Sequence, residues 1–219
     1  MKSFEISNVE TKQGLMTQIL VGEASGELPR HLMLGTKENG YVVEHGTIRQ
    51  HFHENIFDRG GKRYITIKEA DVQPFSDLFN GRRPDVLHQL RRLAQAILLL
   101  PAQFLQTQNG FIEAWRIFFL GDDSFLFLPK TVSDIIAVTV DDSFRFEWYG
   151  QFVKSQVEVP FAMCHQFTQF LYMAYCGKAP YAERAVREDS WRHLPLALVK
   201  CGLPPEASRW IDETLAMPV

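Results

Sequence analysis

His45, His51 and His53, with Glu44 and Glu54, form the densest grouping of metal-capable side chains in the chain. On a strand, His51 and His53 at i, i+2 would face the same way, and imidazoles so placed suit a zinc or iron site for metal-dependent hydrolysis. No distant third ligand with matching context accompanies them, so a solvated strand face is the simpler reading. Arg82, Arg83, Arg91 and Arg92 can gather on one edge of a helix, where guanidinium groups would hold a phosphate or an acidic partner; a solvated face explains them as well. Cys164 and His165 are adjacent, but neighbours on a helix point apart, which argues against a nucleophile–base pair. Cys164, Cys176 and Cys201 are odd in number and share no metal-ligand spacing, so reduced thiols are expected rather than a disulfide framework or a zinc site. The nucleophile elbow, the phosphate-binding Walker motif and the dinucleotide fingerprint are all missing.

The elements that must position these residues differ between the two halves of the chain. Over about the first 65 residues the sequence runs in short alternating stretches: strands are expected at Gly14 to Val21, Tyr41 to Glu44, Thr47 to Phe52 and Tyr64 to Lys68, with turns at Lys37 to Gly40 and Arg59 to Lys62. Beyond residue 85, long apolar stretches dominate. Between Asp85 and Leu100 the positions Leu87, Leu90, Ala94, Ile97 and Leu98 recur at three and four and predict an amphipathic helix with one buried stripe, closed by Pro101. Trp115 to Leu120 and Phe125 to Leu128 flank Gly121-Asp122-Asp123-Ser124 and read as a hairpin. Ile135 to Val140 and Phe144 to Tyr149 flank Asp141-Asp142-Ser143 and read as a second one, with that turn exposed. Phe161 to Cys176 is apolar around most of a helical circumference, with His165, Gln166 and Gln169 its clearly polar members, and Gly177 suits its end. Pro204 and Pro205 open a closing helix carrying Trp210, Ile211 and Leu215 on one side.

Composition limits the function classes. With 219 residues, 46% hydrophobic and 22% charged, the chain is long enough to bury about 70% of its unfolded surface, so disorder is excluded. A net charge of -3 provides no global field for nucleic acid. No apolar run reaches the roughly 20 residues of a membrane span and no signal-peptide core opens the chain, so a cytoplasmic location is expected.

An extended run entering KEADVQPFSDLFNGRRP, the helix from Asp85, the hairpin after it, and a buried helix ending in Gly177, Pro180 and Tyr181 before PPEASRWIDETL together resemble the eukaryotic-type protein kinase fold. The resemblance covers about residues 64 to 217 and is better for the large lobe. It implies an α+β fold with a reduced β-rich N-terminal lobe over residues 1–69 and a mainly helical lobe over 70–219. The chemistry of that fold is missing. Phosphoryl transfer needs a carboxylate to orient the hydroxyl, a Lys near the transferred group, and Asn and Asp ligands for magnesium. Laid on the kinase catalytic loop, NGFIEAWRIFF places Phe111 at the catalytic Asp, Glu113 at the Lys and Arg116 at the Asn. Continuing without gaps, Pro129-Lys130-Thr131 falls on the metal-binding motif, and Pro and Lys cannot coordinate Mg²⁺. Met163 falls where the central helix of a kinase opens with an Asp that braces the catalytic loop, so that polar brace is expected to be lost. Upstream, LVGEASGELP lacks the glycine-rich loop spacing, and Glu44 stands where a strand Lys would be wanted.

The resemblance therefore implies a catalytically inactive, pseudokinase-like domain that binds no cofactor and acts as a protein-binding, scaffolding or regulatory module, its protein partner unidentified. It stops before the last helices of a kinase large lobe, which points to one module of a longer polypeptide. Two enzymatic alternatives remain open: an atypical nucleotide-transferring relative that recruits Glu113, Asp122 or Asp123, and a metal-dependent hydrolase using His45, His51 and His53.

Overall fold

The computed structural model describes residues 4–12, 14–24, 26–35, 39–51, 55–80, 85–106, 112–121, 123–141, 143, 159–181, 193–199 and 202–216. The first antiparallel pair, β1 (Glu5–Thr11) and β2 (Gly14–Glu23), is followed by a short helix, α1 (Arg30–Gly35), and the hairpin β3 (Gly40–Glu44) and β4 (Thr47–His51). A further hairpin, β5 (Asn55–Arg59) and β6 (Lys62–Ile67), reverses at Gly60 and Gly61. Both glycines have positive φ, at 59° and 76°, the conformation that a two-residue turn matched to strand twist requires. Then come β7 (Val72–Pro74), a 3-10 turn at Phe75–Leu78, α2 (Val86–Leu99) and α3 (Ala102–Gln106). A 3-10 turn at Ala114–Arg116 leads into β8 (Ile117–Leu120) and β9 (Ser124–Phe127), and the helices α4 (Lys130–Thr139), α5 (Val159–Cys176) and α6 (Pro205–Leu215) complete the described elements.

The strands form two antiparallel sheets, ordered β1-β2-β6-β5 and β4-β3-β9-β8-β7, so the architecture is mixed, of the α+β kind. β3 pairs with β9 in register Val42↔Leu126, and the second sheet therefore draws strands from both sides of the expected 69/70 boundary.

Period-two alternation in this second sheet sets the layering. Val42, Phe118 and Leu126 join a core with Ile19 and Val21 of β2, Ile65 and Ile67 of β6, and Val132 and Ile136 of α4. Their immediate neighbours Val43, Ile117, Phe119, Phe125 and Phe127 join a second core with Leu90, Leu93 and Ile97 of α2 and Phe170 of α5. One sheet is thus covered on both faces, by the other sheet and α4 on one side and by the long helices on the other. A third, smaller cluster of Tyr172, Ile211, Leu215 and Leu196 seats α6 on α5.

Several sequence expectations need correction. The buried stripe of α2 is Leu90, Leu93, Ala96, Ile97 and Leu100; Leu87 and Leu98, assigned to it by periodicity, are 42% and 83% exposed. The second hairpin fails at its first strand. Residues 130–139 are helical, because Pro129 supplies an extended N-cap and Val132, Ile135, Ile136 and Thr139 repeat at three and four to bury one face. Residues 144–149 lie outside the described residues; Asp141 and Ser143 are exposed, as expected, but they follow a helix. On α6, Ile211 and Leu215 are buried while Trp210 is half exposed. The ends of α5 agree with expectation: Gly177 has φ 74° and its N–H bonds to Met173 O at 2.9 Å. No described helix is long and apolar enough to cross a membrane.

At Gly40 β3 lies so close to β9 that a Cβ would sit 2.6 Å from the backbone oxygen of Phe127. Gly40→Ala is expected to cost about 1–3 kcal/mol in urea unfolding. Gly22→Ala, whose Cβ would meet Thr139 Cγ2 at an ordinary 3.5 Å, changes stability by less than about 1 kcal/mol.

Candidate functional site

The β8–β9 hairpin assembles the site. Because the strands are antiparallel, with Ile117 opposite Phe127, the segment entering β8 lies beside the segment leaving β9. Leu128 N–H donates to Arg116 O at 2.9 Å and closes the junction. Glu113, Arg116, Pro129 and Lys130, far apart in sequence, are thereby brought together.

The Arg116 side chain has no solvent exposure, and its guanidinium is committed on several sides. Nη2 lies 2.6 Å from Glu113 Oε2, Nη1 donates to Leu128 O at 2.8 Å, and the group sits 5.9 Å from the centroid of the Phe104 ring. Glu113, 6% exposed, also has Lys130 Nζ at 3.8 Å, and Lys130 pairs in turn with Asp134 one helical turn along α4. Two cations and two carboxylates balance. A buried charge is tolerated only when it is paired and hydrogen-bonded, and Arg116 meets that condition through both a carboxylate and a backbone carbonyl. Trp115 points to the opposite layer, where its indole N–H donates to Ser133 Oγ at 2.7 Å beside Phe118 in the inter-sheet core. Phe119 faces the helical layer instead.

A helix braces this loop from below. Gln166 Oε1 accepts from Ile112 N–H at 3.0 Å, and its Nε2 donates to Ile112 O at 2.7 Å. The expected loss of a polar brace is therefore corrected. Met163 is half-buried against the helical core, and Gln166, three residues on along the same helix, holds the loop backbone at both polar groups of one residue. The signal was present in the sequence, since a Gln in a helix that is apolar nearly all round has to find partners inside the protein. The neighbouring polar residues obey the same rule: His165 Nδ1 lies 3.0 Å from Gln169 Nε2, and the Tyr181 hydroxyl donates to Leu215 O at 3.1 Å. Burial pushes the Tyr181 phenol upward and outweighs the lowering effect of its Gln169 hydrogen bond.

The other candidates are placed differently. His45 sits exposed in the turn after β3, and His51 is buried at the far end of β4, so the length of β4, about 16 Å of strand, separates them. His51 Nδ1 and Arg49 Nη2 meet Glu69 Oε1 at 3.2 Å and 2.9 Å and link the end of one sheet to the edge strand of the other. Burial raises the Glu69 carboxyl, and these two partners together outweigh it, leaving its pKa below the ordinary 4.5. His53, Glu54, Phe111, Asp122, Arg82 and Arg83 lie outside the described residues, and among those described no three His, Cys, Asp or Glu side chains are grouped to hold a metal. Asp123 is in the turn at the far end of β8 from Glu113, with about 13 Å of strand between them, and is held by Arg92 through its carboxylate and, at 2.6 Å, its carbonyl. Arg91 is exposed on α2. Cys164 is exposed while His165 is buried, so the two face apart. A residue that sequence reasoning passed over is Arg63, 2% exposed on β6. It holds Asp58 through two nitrogens at 2.9 Å and 3.0 Å and Thr139 of α4 at 3.1 Å, fastening α4 to the first sheet.

Removing one member of the buried pair strands the other. Arg116→Met is expected to destabilise by about 3–5 kcal/mol in chemical denaturation, and the Glu113→Leu/Arg116→Met double variant to cost less than the single one. Gln166→Leu leaves both backbone groups of Ile112 unsatisfied, at about 1–3 kcal/mol each. Glu69 has a depressed folded pKa, so its stabilisation is complete above pH 4.5 and is lost as pH falls through the folded value. A pH series of unfolding free energies for Glu69→Gln should therefore lose less stability on acidification than the parent.

Compared with known families and curated proteins, the chain matches no family model and no curated protein.

Proposed function

We propose that the chain is a catalytically inactive domain resembling the protein kinases, working in the cytoplasm as a protein-binding, scaffolding or regulatory module. One observation carries this reading. The positions that the resemblance assigns to the catalytic Lys, the Asn and the metal-binding motif do converge, but around a closed charge pair. Arg116 is fully buried in the Asn position, and the carboxylate beside it, Glu113, already has Arg116 at 2.6 Å and Lys130 at 3.8 Å.

The electrostatics favour the same reading. Mg²⁺ takes carboxylate, carbonyl and water oxygens in octahedral array, and here two fixed cations occupy the neighbourhood of the available carboxylate. A third, divalent cation would meet like charge in a desolvated setting, where repulsion is strong. Across β8 from the charge pair, Trp115, Phe118, Val132 and Ile136 pack between the sheets, which offers apolar surroundings in place of the polar ones that triphosphate needs. The brace from Gln166 to Ile112 supports a loop kept for its shape.

Thermal unfolding with Mg²⁺-ATP tests the reading. Ligand present at 100 times its dissociation constant adds about 2.7 kcal/mol of stability and would raise the midpoint by several degrees. The expected result is no shift, together with no release or transfer of labelled γ-phosphate. A concentration-dependent rise, or phosphate transfer lost on Glu113→Gln, would overturn the proposal.

A further inference from the structure

α2 presents two parallel seams. Leu90, Leu93, Ile97 and Leu100 face the core, and Leu87, Arg91, Ala94 and Leu98 recur at i, i+4, i+7 and i+11, the 4-3-4 spacing by which one helix receives another. The outer seam extends about 16 Å, three turns. Leu87 is 42% exposed and Leu98 83%, while Leu99 on its flank is 42% exposed. Single exposed leucines are ordinary on a protein surface, but these lie on one line, with a guanidinium in the middle of it. Arg92 is already engaged by Asp123, whereas Arg91 is exposed on the seam itself.

We infer that this outer seam of α2 docks an acidic amphipathic helix of a partner protein, with leucine-type side chains opposite Leu87 and Leu98 and a carboxylate opposite Arg91. The inference rests on the proposed role as a protein-binding module and specifies the partner's chemistry. Charge selects the occupant. Between Val86 and Leu99 the helix carries His88, Arg91 and Arg92 and no carboxylate, so the α2 of a second copy would bring like charge and no counter-ion. Arg91 on the seam, with no carboxylate along the helix, selects by sign an acidic helix over a basic one.

The test uses the full chain and two labelled synthetic three-heptad amphipathic helices, identical in their leucine seam, one flanked by Glu and the other by Lys. Fluorescence anisotropy should show the Glu helix bound, and the Lys helix weaker by about tenfold or more. Leu98→Glu should abolish binding, and Arg91→Glu should invert the preference toward the Lys helix. Both positions are exposed, so circular dichroism and the melting midpoint should stay at parental values. Equal affinity for the two helices, binding of neither, or undiminished binding by Leu98→Glu would each overturn the inference. So would self-association in sedimentation that Leu98→Glu abolishes, which would assign the seam to a second copy, or capture by anionic vesicles in preference to the Glu helix. Failure in any of these ways leaves the inactive-domain reading standing, whereas phosphate transfer by a chain that binds the Glu helix would overturn that reading and spare the seam.

Discussion

The buried pair of Arg116 and Glu113 is the constraint around which the middle of the molecule is arranged. A guanidinium without solvent exposure can persist only where its charge is matched, and here the matching groups come from three pieces of chain. Glu113 lies on the loop before β8, Leu128 supplies a carbonyl from the end of β9, and Lys130 from the start of α4 touches the same carboxylate. Holding these pieces at one point fixes where the hairpin begins and where α4 leaves it. Gln166 then ties the loop to α5, so the charge pair, the hairpin and the central helix form one connected polar frame inside two apolar cores.

The two cores explain why that frame sits where it does. Strands β8 and β9, covered on both faces, have no solvated side and read as unbroken apolar runs, Ile-Phe-Phe-Leu and Phe-Leu-Phe. Polar groups near such a sheet have to be paired locally at strand ends, since water cannot reach them. The charged residues at 113, 116 and 130 fall at those ends. On the kinase-like reading the same positions are where phosphate and metal would be handled; in this chain their polarity is spent internally, on folding. On the proposed reading, a surface role falls to outer faces such as the seam of α2.

Legibility in the sequence followed the range of the interactions. The β8–β9 hairpin, the bounds of α2 and α5, and the glycine that ends α5 were readable, because turn residues, prolines and a 3.6-residue period are local signals. The α4 segment has the local signature of a strand: its Ile-Ile-Ala-Val-Thr-Val run is rich in β-branched residues, and the helical repeat emerges only when Val132 is included. On α2 the period alone does not choose between adjacent stripes, so Leu87 and Leu98 fit an inward stripe in sequence although they are exposed. The pairing of β3 with β9 joins residues more than seventy positions apart and leaves no local trace, so the mixing of both halves in one sheet was invisible. At the site, the unsuited residue types at 113, 116 and 129–130 were readable from composition, but their mutual pairing was not. The brace leaves a weaker signal than the Met163 position, because it comes from a Gln one turn further along the same helix.

The central claim is that the neighbourhood of Arg116 is closed to a divalent cation and its nucleotide. Paramagnetic broadening tests it most directly: amide spectra of the isotopically labelled protein are recorded with increasing Mn²⁺-ATP as a stand-in for the magnesium complex. The account predicts that the amides of Ile112, Glu113, Arg116, Leu128 and Lys130 keep the intensity of core amides elsewhere. Selective loss of these signals at low Mn²⁺-ATP, relieved by excess Mg²⁺-ATP, would contradict it.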